Sequence, residues 1–126
     1  MKKKMFLFLV MALFFIGCST TQSVRKLEGS GSKRVYNASY EKVWSAAIVA
    51  CQSETIQIEK SDKEEGQISA KTKVRATSWG ENISVWVRKL NADSTEVEVV
   101  SRKAGPAIFF HYNWEESILN NIESQL

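Results

Sequence analysis

The feature that most constrains this chain is a change of period. Between Thr55 and Lys103 apolar and polar residues alternate in four successive runs, whereas the segments on either side repeat at helical spacing. Ile56 and Ile58 share one face of the first run. Ile68, Ala70, Thr72, Val74 and Ala76 share one face of the second, over residues 67–77. In the third, over residues 82–90, Ile83, Val85 and Val87 point one way and Trp86 the other. Val97 and Val99 line the fourth, over residues 95–103. Alternation of this kind is expected of antiparallel strands covered on a single face. Asp62-Lys63-Glu64-Glu65-Gly66 and Asn91-Ala92-Asp93-Ser94 supply turns between runs.

The flanks supply what covers that face. Tyr40, Val43, Trp44, Ala47, Ile48 and Cys51 recur at helical spacing, with Ser39 as N-cap and Glu41 in the first turn, which predicts a helix of about fifteen residues. A short strand over residues 34–38 precedes it, with Val35 and Tyr36 on opposite faces. Near the carboxyl end Asn113 is placed to cap a second helix, and Glu116 three residues later completes a capping-box-like pattern. Its apolar face is expected to be Trp114, Ile118, Leu119, Ile122 and Leu126. The order β-α-β-β-β-β-α implies an α+β two-layer sandwich: an antiparallel sheet of about four to five strands, with two helices packed on one face.

The amino-terminal region is different in kind. Lys2, Lys3 and Lys4 precede an uninterrupted apolar run of twelve residues, Met5 to Ile16. A spanning helix needs about twenty such residues, so the run has the length of a signal-peptide core and not of a stable anchor. Phe15-Ile16-Gly17-Cys18 follows. This tetrapeptide resembles the bacterial lipobox, with Phe15 in the place more usually held by Leu. The resemblance implies cleavage between Gly17 and Cys18 and attachment of a diacylglyceryl group to the Cys18 thiol. It makes the membrane a partner through the amino-terminal lipid. Ser19, where Asp would imply retention at the inner membrane, implies the outer membrane, facing the periplasm, if the cell has two membranes.

Three regions are therefore expected: a lipoprotein signal peptide at 1–17, a lipidated Cys18 with a flexible tether through 32, and one α+β domain at 33–126. The tether reading rests on a composition rich in Ser, Thr, Gln and Gly, ending in Gly29-Ser30-Gly31-Ser32. The domain's element order, the Tyr40–Trp44 helix start and the Glu65-Gly66 turn resemble the helix-grip-type domains of small envelope lipoproteins, including those of the outer-membrane assembly lipoprotein BamC. No functional residue carries over from that resemblance by motif.

Charge removes one class of function. The formal charge of +3 resides in the three leader lysines, and from Cys18 onward 14 basic residues meet 14 acidic ones. A domain that follows nucleic acid needs an excess of Lys and Arg, so nucleic acid is not an expected partner. Catalytic signatures are missing from the sequence as well. His111 is the single histidine and has no companion at metal-ligand spacing. Glu64-Glu65 and Glu115-Glu116 fall in a turn and in the first turn of a helix, where carboxylates have ordinary structural uses. Neither a cofactor, a metal nor a catalytic residue is expected. Cys51 is read as a lone thiol packed among apolar side chains.

The residues nominated for contact with a partner or ligand are Trp86, Phe109, Phe110 and Tyr112. Trp86 is expected on the free face of the sheet, where aromatic residues often mark interfaces. The other three belong to the aromatic stretch 107–112, read either as a docking loop for another envelope protein or as a core closure beneath the last helix. Overall the expectation is a non-catalytic accessory or assembly module that meets another envelope protein. A small-ligand or lipid-binding domain, with its ligand between helix and sheet and lined by Trp44, residues 107–112 and Trp114, is the alternative. An enzyme is the reading least supported.

Overall fold

The computed structural model describes residues 27–74, 80–103 and 112–126. Seven elements follow in order: β1 (Ser32–Tyr36), α1 (Tyr40–Ala50), β2 (Ile56–Asp62), β3 (Gln67–Thr72), β4 (Glu81–Asn91), β5 (Ser94–Lys103) and α2 (Trp114–Gln125). The strands form one antiparallel sheet in the order β1-β5-β4-β3-β2. Strands β2 to β5 are a meander, and β1 returns to the far side of β5. Both helices cover the same face, giving the expected α+β two-layer sandwich.

The core follows from the alternation. Ile68, Ala70, Ile83, Val85, Val87, Val97 and Val99 rise from the sheet and meet Val43, Trp44 and Ala47 of α1 and Ile118, Leu119 and Ile122 of α2 in one buried cluster. Each apolar residue on this face occupies alternate positions of its strand, so one register error would turn the whole set outward. Val85 pairs with Val99, and Val87 with Val97, which places four β-branched side chains together at the centre.

α1 starts where Ser39 accepts a hydrogen bond from the Lys42 amide and ends after eleven residues at Ala50, earlier than the fifteen expected. Its last turn closes because the Cys51 amide returns to Ala47 and the chain then bends at Ser53, whose hydroxyl accepts from the amides of Thr55 and Ile56. Cys51 is a fully buried free thiol, and burial pushes its pKa up to about 12. β3 is also shorter than its alternation suggests. It ends at Thr72, and Val74 is exposed, because the Thr72 hydroxyl accepts from the Glu81 amide and begins β4 there.

α2 is fixed to the sheet by polar contacts as well as by its apolar stripe. Asn113 accepts from the Glu116 amide at 3.1 Å, as its position predicts. Glu115 accepts from the Ser32 amide and hydroxyl with one oxygen and from the Ser101 amide with the other, joining the helix start to β1 and β5. Arg34 spans the helix, reaching Glu116, Asn120 and Glu123. The Tyr36 hydroxyl donates to the Leu119 carbonyl, and burial pushes its pKa up to about 12. Leu126, expected in the buried stripe, is instead half exposed: the stripe ends one turn earlier, at Ile122.

Two tight places depend on glycine. Gly66 closes the β2–β3 turn at φ 69°, and a Cβ there would lie 2.3 Å from the Val87 carbonyl oxygen. Gly31 approaches the sheet so closely that a Cβ would meet the Val99 carbonyl oxygen at 2.2 Å and Val100 Cγ2 at 2.6 Å. The second of these lies within the stretch expected to be a loose tether.

Candidate functional site

The sheet face away from the helices should be polar and open. Its strand positions are Lys33 and Val35 on β1, Glu96, Glu98, Val100 and Arg102 on β5, and Asn82, Ser84, Trp86 and Arg88 on β4, since these alternate with the core residues. Near its centre it is closed. Trp86 is 6% exposed, Glu98 is 0% exposed and Val100 is 1% exposed. Trp86 and Glu98 are direct cross-strand partners, and Val100 stands two residues along from Glu98. The expectation that Trp86 is displayed on a free face is therefore incorrect. Alternation placed it on the correct side of β4, but that side is covered at its centre.

Part of the cover is the chain just before β1. Residues 27–31 form a turn that lies against β5. The Gly29 and Gly31 amides donate to the two Glu98 carboxylate oxygens at 2.9 and 3.3 Å. Arg88 reaches the same carboxylate at 2.9 Å, Glu96 at 3.0 Å and Glu28 of the turn at 2.7 Å. Arg102 donates to the Ser30 hydroxyl. The boundary expected at Lys33 is thus corrected for residues 27–32, which are built onto the sheet. Flexible composition at Gly29-Ser30-Gly31 is a steric requirement here: Gly29 has φ 90°, and Gly31 leaves no room for a side chain.

The electrostatics of this strap are those of an anchor. Burial pushes the Glu98 carboxyl upward, but the Gly29 amide, Arg88 and the Gly31 amide outweigh it and hold it below the usual carboxylate range. For Arg88, burial acts to lower the pKa, and the hydrogen bonds to Glu28, Glu98 and Glu96 raise it. Both groups stay charged near neutrality. A carboxylate whose oxygens are filled by three donors is not free to accept a proton from a substrate. Three carboxylates surround an arginine, and among the described residues no group of His, Cys, Asp and Glu is arranged to hold a metal ion.

Of the remaining nominated residues, Tyr112 is 58% exposed, packs against Trp114 with ring centroids 4.4 Å apart, and lies 3.1 Å from the Ser117 hydroxyl. Gly17, Cys18, Phe109, Phe110 and His111 lie outside the described residues, so the docking-loop and core-closure readings of 107–112 both stand. Trp44 is buried in the core and stacked on Tyr40. Of the paired acids, Glu115 and Glu116 tie α2 to β1. A groove of about 560 Å³ runs between the outer side of α1 and the end of α2, lined by Glu41, Lys42, Ser45, Val49, Gln125 and Leu126 among others. It lies outside the helix layer, not between helix and sheet.

The strap and its Arg88–Glu98 pair escaped the sequence reading. Their signal was present as Trp86 and Val100, two apolar residues on the face that alternation assigns to solvent. Among the described residues no helix is long and apolar enough to cross a membrane. The sequence matches no protein-family model and no curated protein.

Proposed function

We propose that this chain is exported, cleaved before Cys18, and held in the cell envelope by lipid on that cysteine, where its domain works by binding rather than by catalysis. The observation that carries this reading is the sequence of the first eighteen residues: three lysines, twelve apolar residues and Gly17-Cys18. One acyl chain holds a protein only marginally, at about 0.8 kcal/mol per buried methylene, whereas two or three on one residue hold it durably. The folded part supports a binding role through its chemistry. Of its buried carboxylates, Glu98 is committed to the strap and Glu81 accepts from the Ser101 hydroxyl, and its buried thiol, raised to about 12, is not a nucleophile near neutrality. In function it is an accessory or assembly module that meets another envelope protein, like the helix-grip-type lipoproteins it resembles, and Ser19 favours the outer membrane.

Mass spectrometry of the protein recovered from its native cell tests the anchor. A diacylglyceryl-modified Cys18 at the amino terminus is the expected result. A free Cys18 thiol would overturn the reading. In-cell crosslinking from Tyr112 tests the binding role, with one reproducible envelope protein as the expected product.

A further inference from the structure

The strap fixes where the leash leaves the domain. Glu28 bonds to Arg88 and Gly29 to Glu98, both on the sheet face opposite the helices, so the first described residues lie at that face. Nine residue steps separate Cys18 from Leu27. Fully extended they span at most about 30 Å. A domain held this closely, by its sheet side, meets the bilayer with its sheet before its helices.

Beside the strap that face carries cations. Two neighbouring rows cross the sheet: Lys60, Ser69, Ser84 and Val100, then Gln57, Lys71, Asn82 and Arg102. These rows contain three basic residues and no acid. Lys60, Asn82 and Arg102 are exposed, and Lys71 is partly so. In the next row Asp62 accepts from the Glu65 amide and Glu98 is paired with Arg88, while Glu59 stands in the β2 bulge. Lys71 and Arg102 stand two strands apart, about 10 Å. That separation suits two neighbouring headgroups better than one chelated phosphate. Between Cys18 and Leu27 the sequence holds Arg25 and Lys26 and no acid.

From the leash exit and this charge pattern we infer that the shelf formed by Lys60, Lys71 and Arg102 docks on the phosphate headgroups of the anionic membrane in which the chain is anchored. The inference rests on the proposed lipid anchor. It adds an orientation: sheet toward the bilayer, with α1, α2 and the groove at Val49 and Leu126 toward the periplasm. Basic residues near an anionic leaflet each contribute about a fivefold gain in binding, and the attraction is screened by salt.

The full mature chain carrying Cys18→Ser, which has no acyl group, separates the shelf from the anchor. It is sedimented with vesicles of phosphatidylglycerol and phosphatidylcholine in equal parts, and with vesicles of phosphatidylcholine alone. Binding to the anionic vesicles only is expected. Lys60→Gln, Lys71→Gln and Arg102→Gln should each weaken it about fivefold, and high salt should abolish it. Equal binding to both vesicles, or binding that falls in Arg25→Gln/Lys26→Gln but in none of the shelf variants, would overturn the shelf. Should a shelf variant fail to fold, the wild-type chain decides. In its lipidated form on anionic vesicles, Lys71 should be protected from acetylation while Lys42 on α1 stays reactive. Equal labelling of the two would overturn the orientation. Since the anchor is read separately by mass spectrometry of Cys18, failure of the shelf and failure of the anchor are distinguishable.

Discussion

Gly31 and Gly29 sit two residues apart in the strap and are required for different reasons. Gly29 needs only its backbone angle, because nothing lies within 4 Å of a Cβ built there. Gly29→Ala should therefore cost the left-handed penalty alone, about 1–2 kcal/mol. Gly31→Ala would force a methyl into the Val99 carbonyl, which cannot yield without opening the β1–β5 ladder, and should cost more, about 3 kcal/mol. Urea denaturation of the two variants measures the difference, and an equal loss would contradict the close approach. Glu98 gives a pH signature. Its folded pKa is depressed, so its contribution to stability is complete above the unfolded carboxylate value near 4.3 and is lost as pH falls through the folded value. Glu98→Gln should lower stability near neutrality and flatten the decline that sets in as pH falls below the unfolded carboxylate value. An unchanged acid limb in that variant would show that Glu98 carries no such linkage.

At the scale of elements, the two helices are attached differently. The Ser39 cap of α1 is long, at 3.4 Å, and α1 relies on Val43, Trp44, Ala47 and Ala50 in the core. α2 has a shorter cap at Asn113 and the Glu115 and Arg34 contacts to β1. Asn113→Ala should cost about 1 kcal/mol and Ser39→Ala less. Glu115→Ala leaves the Ser32 and Ser101 amides without their acceptor and should cost about 2–3 kcal/mol. Thermal unfolding of the three variants should rank them Glu115, Asn113, Ser39. Glu115 also shows how far an element can be read in advance. The position of a carboxylate in the first turn was legible from the sequence, but its partners were not, because Ser32 lies 83 residues away on a strand brought near only by the fold.

For the whole molecule, the strap makes residues 27–31 part of the folded domain. A chain beginning at Lys33 would lose the Gly29 and Gly31 donors and uncover part of the patch around Glu98 and Val100. It should unfold at lower urea than a chain beginning at Leu27, by about 2–4 kcal/mol. Near-equal midpoints for the two chains would mean that the strap is an ornament on an independent domain. Cys51 reports on the same cooperativity. Buried and raised to about 12, it should react with an aromatic disulfide reagent only through opening of the core, and faster in the shorter chain.

What the sequence determined by itself was local in origin. The alternation of Ile83, Val85, Val87, Val97 and Val99, the helical spacing of Val43, Trp44 and Ala47, and the caps at Ser39 and Asn113 each depend on neighbours a few residues away. They sufficed for element order, sheet direction and the buried face. Only the tertiary structure decided what happens on the other face. Gly29 and Gly31 lie 69 and 67 residues from Glu98, and a Gly-Ser-Gly stretch has the same composition whether it swings free or fits against a sheet. Its order comes from a buried carboxylate that requires donors once water is excluded, a demand that exists only after β1 has returned beside β5.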